Sequence, residues 1–343
     1  MLIEELLVKK EIIPLTKPFK TALRVVEQIE NIVVEILLED GTTGIGAAAP
    51  TFVITGESRE SIEAALVGPI RTNLIGKDIR QLNDLLKTVQ ACCVGNTSAK
   101  AAADIALHNA YCNQAGISIS SYLGGCKKIS TCMTVSVDTV EKMQEEAKKA
   151  VEAGYSVLKI KVGDNAEMDV KRMAAILAVV PKTITLRLDA NQGWKPKEAV
   201  RLIRQFEELA YPIEFIEQPV KAWDLDGLKY VRDHVSTPIM ADESVFSTKD
   251  AMKLIEGGYV DLLNIKLMKC GGIAEAMKIA SIAEAKGIAC MIGSMMESSI
   301  SVAAAAQVAA AHPNIRYFDL DAPLWLAAPP THLKYIGETV EII

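Results

Sequence analysis

The chain has 343 residues, half of them hydrophobic and 23% charged, with 37 Lys plus Arg against 43 Asp plus Glu and a formal net charge of −6. This supplies a sizeable core and excludes disorder and disulfide mini-scaffolds, and the acidic surplus argues against nucleic acid as a partner, because phosphate binding needs a basic footprint. The seven cysteines show no CxxC spacing and no pairing with the four histidines, so buried thiols are expected rather than zinc ligands.

At the amino terminus Glu4, Glu5, Lys9 and Lys10 interrupt any apolar signal segment. Residues 2–13 alternate weakly, and residues 24–38 and 43–48 form two β-like runs around Glu39-Asp40-Gly41, a hairpin signal. Helical patterns follow at about 57–75, 78–92 and 97–115, the last with Asn96-Thr97 as expected caps. Strands then helices in blocks predict an α+β domain over residues 1–125. From about residue 129 the rhythm changes. ISTCMTVSV, SVLKIKV, TITLRLD, IEFIEQ, TPIMADE, VDLLNIK, GIACMIGS and IRYFDLD are eight short apolar runs, each followed by a helical segment. Eight such units predict a (β/α)8 barrel over residues 126–334. The Ala-rich stretch from Ser301 to Ala311 is broken by Gln307 and too short to span a bilayer, so a cytoplasmic protein without membrane contact is expected. The closing IGETVEII, about 335–343, reads as a strand returning to the first domain.

Charged residues recur at the carboxyl ends of these runs: Lys161, Asp189, Glu217, Asp242, Lys266 and Asp319, with Ser294 at the seventh. The first five are spaced by 28, 28, 25 and 24 residues, and 53 more reach Asp319, about two units. One residue per unit, always at the same edge, places them at one mouth of the barrel, where barrel active sites are built. Any one carboxylate there also suits a helix N-cap. Three on adjacent strands repel unless a cation lies among them, and hard oxygen ligands without His or Cys suit Mg²⁺. Asp189, Glu217 and Asp242 are therefore the expected ligands of one ion per subunit. Lys159 and Lys161 share a face of the second strand, and their proximity is expected to lower each other's proton affinity from a free value of about 10.4, as a lysine base requires. Lys266 faces them from the sixth strand. Two bases across a carbon acid can remove a proton from one face and return it to the other, inverting a stereocentre.

LKIKVG, LRLDANQGW, IEFIEQPV, PIMADESV, LLNIKLMKCGGI and FDLDAPL resemble the enolase superfamily, muconate-lactonising subgroup, and within it the dipeptide epimerases typified by the L-Ala-D/L-Glu epimerases. The resemblance covers nearly the whole chain. It implies an enolase-type modified barrel with an α+β capping domain, Lys161 and Lys266 as the acid/base pair, and the three carboxylates as magnesium ligands. It also implies that Asp319 and Asp321 clamp the α-ammonium of a dipeptide, with the second residue as the epimerised centre. Other members of the subgroup are o-succinylbenzoate synthase-like lyases and cycloisomerases, which the doubly acidic DLD argues against; an idle ligand-binding barrel is disfavoured by the complete Lys and carboxylate set. The expected partner is a small dipeptide, and assembly as a homo-oligomer is expected.

Thr134 and Ser136, at the end of the first strand, are expected to hydrogen-bond substrate or a lysine, and Lys269 to support a metal ligand. Segments near 17–30 and 50–56 are expected as lids. Within KPFKTALR, Arg24, and more loosely Lys17 and Lys20, are placed to meet a glutamate side chain. Against that, Phe52 and Ile54 lie in an apolar lid, Ala47 departs from the family's usual GEA glutamate, and the loop carrying Ser294 and Met296 has no cation. An apolar side chain gains about 25 cal/mol per Å² buried, whereas an unpaired buried carboxylate is costly, so hydrophobic or aromatic second residues are favoured over Glu.

Overall fold

The computed structural model describes residues 1–343. Three antiparallel strands open the chain, β1 (Ile3–Lys20), β2 (Val25–Leu38) and β3 (Thr43–Ala48), paired in the order β1-β2-β3. The hairpin between β2 and β3 falls at Asp40-Gly41, as the turn residues predict, with the Thr42 amide donating to Asp40 Oδ1. The sheet lies on the Ala-rich helix Thr97–Ala115. Gly44 and Gly46 permit this: a Cβ there would come within 2.2 Å of Ala110 N and 2.1 Å of Ala102 O. Backbone rests on backbone, and larger residues on β3 would lift the sheet away.

Two local expectations change. The helical pattern at 57–75 breaks into Arg59–Ala65 and Arg71–Leu74 around Pro69, which lacks the N–H an uninterrupted helix needs. Asn96 adopts a left-handed conformation and its side chain does not cap the helix it precedes. Glu57 does so from outside, accepting from the Ser98 and Ala99 amides.

The barrel follows after β4 (Ile129–Ser130). Its eight parallel strands are β5 (Met133–Val135), β6 (Val157–Lys161), β7 (Thr185–Asp189), β8 (Ile213–Glu217), β9 (Ile239–Ala241), β10 (Leu262–Lys266), β11 (Ala289–Gly293) and β12 (Ile315–Asp319), hydrogen-bonded in sequence order. Side chains bridge the seam between the first and last, the Leu320 amide donating to Thr131 Oγ1 and the Thr134 amide to Asp321 Oδ2. Seven strands carry helices. After β12 comes a 3₁₀ turn, Ala322–Trp325, and then the hairpin β13 (Leu333–Ile336) and β14 (Thr339–Ile342), so the eighth helix is replaced.

The last strand does not join the cap sheet. β14 pairs with β13 and β4, extending an antiparallel ribbon beside the start of the first barrel strand. Residues 129–130, at the start of the barrel, offer it the strand edge it pairs with. The chain returns to the cap earlier, where Ala327 N donates to Pro14 O and Thr16 Oγ1 to Trp325 O. No helix is long and apolar enough to cross a membrane.

Alternation along the strands fills the barrel in layers. Phe215, Met240 and Met291 form an apolar floor with Tyr317 packed against it. Arg187 stacks over Phe215 and Tyr317 at 5.2 and 5.3 Å and pairs with Glu214. Two residues further along the strands, towards their carboxyl ends, the inward side chains become ionic.

Candidate active site

Asp189, Glu217 and Asp242 close β7, β8 and the turn after β9, each fully buried, and an oxygen from each lies within 4.8 Å of the others. Asn264, inward on β10 two residues before Lys266, donates to Glu217 Oε1 at 2.8 Å. Glu217 Oε2 has the Lys159 ammonium 2.7 Å away, yet out of alignment for a hydrogen bond, and has no other partner. Burial, then the neighbouring Asp189, push the Glu217 carboxyl up to about 8. Three buried hard oxygen donors, one of them without a hydrogen-bond donor, fit a small divalent cation such as Mg²⁺.

Lysines ring this cluster. Lys161 Nζ lies 2.6 Å from Asp189 Oδ2 and 3.2 Å from Asn191 Oδ1. Lys266, four strands away, lies 2.8 Å from Asp242 Oδ2. Both line one cavity with Asn191, Thr134, Ser294, Asp319 and Asp321. Burial opposes the charge of Asp189, but Lys159 and Lys161 outweigh it and bring its carboxyl down to about 2.

Lys159 is not in that cavity. It sits below, almost wholly buried, 3.0 Å from Asp189, 2.7 Å from Glu217 and 2.7 Å from Asp319. Desolvation alone would lower its proton affinity, but Asp189, Asp319 and Glu217 more than reverse this and hold it well above the ordinary lysine value. The expected mutual depression of the two lysines therefore does not occur at Lys159, because it meets carboxylates rather than Lys161. Lys269 is buried and bonds both the carboxylate and the backbone carbonyl of Asp242, together with the Asn264 carbonyl.

The acidic pair closes one side. Asp319 holds Lys159, while Asp321 accepts from Thr134 N at 2.8 Å and Trp325 Nε1 at 3.4 Å. Burial, with Asp319 beside it, raises the Asp321 carboxyl to about 6. Lys159 and Lys161, acting against burial, lower Asp319.

The tip of the β1–β2 hairpin covers the mouth, placing Phe19, Thr21, Leu23 and Arg24 in the cavity wall with Ile54, Met295 and Met296. The Phe19 ring lies edge-on to Trp325 at 5.0 Å and 5.8 Å from Lys161 Nζ. Arg24 has no carboxylate within ion-pair distance, and burial lowers its guanidinium to about 10. Lys17 and Lys20 do not reach the cavity; they are spent on Glu146 and Asp138. Ser136 does not face substrate space either. Its hydroxyl donates to Lys20 O and accepts from Lys20 N, which pins the hairpin to the barrel. Phe52 is 71% exposed and stands outside this wall. Asn191, whose Nδ2 donates to Glu243 Oε1 at 3.2 Å, Glu243 itself and Asn264 were not singled out from the sequence. Adjacency to DAN and ADE carboxylates, and the period-two spacing of Asn264 to Lys266, are the signals that mark them.

Residues 3–124 match the family model of the mandelate racemase / muconate lactonizing enzyme N-terminal domain, and residues 142–340 match the enolase C-terminal domain-like model. The chain belongs to the enolase superfamily. It is 47% identical over 325 residues to the L-Ala-D/L-Glu epimerase of Clostridium acetobutylicum, covering 94% of this chain and 91% of that one. A substrate-liganded L-Ala-D/L-Glu epimerase structure from Bacillus subtilis superposes with a TM-score of 0.98 at 44% identity, over 100% of this chain and 97% of that one. A dipeptide epimerase from Enterococcus faecalis, solved with Mg and L-Leu-L-Tyr, gives 0.95 at 40% identity, over 100% and 97%.

Proposed function

We propose that this protein is a magnesium-dependent dipeptide epimerase that inverts the α-carbon of the second residue. The observation that carries the reading is one cavity bounded by Lys161 and Lys266 on opposite sides, a buried triad of carboxylates between them, and the Asp319-Asp321 pair at its end. Asp189, Glu217 and Asp242 would hold the ion, which when bound would supply positive charge to stabilise the negative charge developing on the substrate carboxylate.

Lys161 takes the α-proton from one face and Lys266 supplies one to the other; the roles exchange for the opposite epimer. Each lysine is 2.8 Å or less from a carboxylate, which orients the ammonium and stabilises it once a proton has been taken up. The substrate ammonium binds at Asp319 and Asp321. Asp321 holds its proton up to about 6, and an incoming cation relieves the repulsion from Asp319. The Phe19 ring and the hairpin tip keep water from the reacting carbon.

For the second side chain we infer an acidic group. Arg24 bears a desolvated guanidinium without a carboxylate partner, facing the cavity, and this outweighs the apolar lid composition. The relatives include L-Ala-D/L-Glu epimerases, while Leu23, Ile54 and Met296 in the same wall support an apolar side chain as the second reading. The test is ¹H NMR in D₂O with Mg²⁺ and L-Ala-L-Glu or L-Leu-L-Tyr. Loss of the second residue's α-proton with appearance of the L,D epimer is the expected result. No α-exchange with either dipeptide would refute the assignment.

A further inference from the structure

Asp169 lies in the first turn of the helix Ala166–Val179, where an acidic residue ordinarily faces solvent and the helix dipole. Here it is fully buried, and its carboxylate points across the tops of two strands. Oδ2 accepts from Gly163 N at 2.9 Å and from Trp194 Nε1 at 3.0 Å, and Oδ1 accepts from Arg172 Nη1 at 3.2 Å. Burying a carboxylate is costly unless it is paired and hydrogen-bonded, so three donors converging on it make a built contact.

The two loops it joins follow Lys161 and Asp189. They meet without side chains between them: a Cβ on Gly163 would lie 2.2 Å from Ala190 O, and one on Gly193 would lie 2.1 Å from Gly163 O. The loop after Asp189 has further anchors, since Ala190 N, Gln192 N and Trp194 N donate to carbonyls of the strand and loop beyond, Glu217, Gln218 and Pro219. The segment after Lys161 has one such bond, Val162 N to Asp189 O; beyond it, the following helix holds the segment through Asp169, which accepts from Gly163 N, and through Arg172, whose Nη2 lies 3.4 Å from Asp164 Oδ2. Lys266 is supported from elsewhere, by Asp242 and by the turn that Lys269 holds.

We propose that Asp169 is a positioning residue for one of the two bases, holding the end of β6 so that the Lys161 ammonium stays aligned with the face of the substrate it serves. The inference rests on the two-base reading above. Loss of Asp169 leaves Gly163 N and Trp194 Nε1 without their acceptor and frees the segment two residues from Lys161, while nothing in the Lys266 support changes. The defect is therefore one-sided.

Deuterium uptake from D₂O into the recovered starting epimer reports the base facing that epimer. Lys161→Ala in the full-length protein identifies which epimer faces Lys161. Asp169→Asn is then expected to slow uptake into that epimer at least tenfold, to leave uptake into the other within threefold, and to leave the Mg²⁺ titration midpoint within twofold. Trp194→Phe, which removes one donor and keeps the ring, is expected to shift the two uptake rates in the same sense by a smaller factor, and decides the matter if Asp169→Asn does not fold. Equal slowing on both faces in the folded variants, or no slowing in either, overturns the role of Asp169 while the epimerase reading stands. A wild-type protein that exchanges no dipeptide α-proton overturns both.

Discussion

Replacing Arg24 by Met tests the specificity assignment most directly. Burial takes the Arg24 guanidinium from 12.5 to about 10, and the absence of a carboxylate within reach means this desolvation is uncompensated in the free protein. A glutamate side chain arriving in the cavity meets a half-buried cation with no competing carboxylate, so the contact falls in the range of charge-assisted hydrogen bonds, about 1.5–3 kcal/mol. Arg24→Met should then lower kcat/KM for L-Ala-L-Glu by roughly 10- to 150-fold. For a neutral dipeptide such as L-Ala-L-Leu the same change removes a desolvated charge and adds apolar wall beside Leu23, Ile54 and Met296, so kcat/KM should hold or rise. Stopped polarimetric assays with both substrates on one enzyme preparation give the comparison. A loss below threefold for L-Ala-L-Glu, or an equal loss for both dipeptides, would show that the guanidinium does not read the second side chain.

Lys161→Ala and Lys266→Ala should each abolish epimerisation while α-proton exchange survives on the epimer facing the remaining lysine; turnover at the wild-type rate in either variant would break the pairing. Asp321→Asn should raise KM for free dipeptides roughly 10- to 150-fold, the cost of a lost charge-assisted contact, and N-acetylated dipeptides should be poor substrates of the wild type. Exhaustive chelation should remove activity and Mg²⁺ restore it; full turnover in excess EDTA would contradict the ligand assignment. At the cap–barrel contact, His108 is buried beside Asp104, and although burial lowers its proton affinity, Asp104 raises it above the ordinary value of 6.5. A group whose folded pKa is raised stabilises below the unfolded value and loses that stabilisation as pH rises through the folded one. Wild-type Tm should therefore fall more than that of His108→Gln as pH is taken upward from 6.5, and parallel Tm profiles would refute the pairing.

The eight barrel strands were legible because each is a short β-rich run and seven of them lead into a helix, and the ionic residues because each sits at the same edge of its run. The missing eighth helix was not, because a 3₁₀ turn and a hairpin after β12 depend on where β4 leaves an open edge. Side chains whose roles are set by non-local partners were read least well. Ser136 has the composition of a substrate contact, but its partner is the Lys20 backbone, more than a hundred residues away in sequence. Lys17 and Lys20 look like free cations until Glu146 and Asp138 are placed beside them. Arg24 differs from both in having no such partner, and this distinction exists only in three dimensions.

The same logic accounts for the lysines. A KxK pair on one strand suggests two ammonium groups in mutual repulsion, yet successive inward positions lie at different depths in the barrel. Lys161 reaches the cavity, whereas Lys159 ends one layer lower against Asp189, Glu217 and Asp319. Seen this way, Lys159 serves as a fixed charge. It offsets the repulsion among three buried carboxylates, links that triad to the proposed ammonium clamp through Asp319, and leaves Asp321, which it does not touch, as the acid with the greater need of a cation. On the proposed reading, the clamp's appetite for a substrate ammonium follows from how one buried lysine divides its contacts between two neighbouring aspartates.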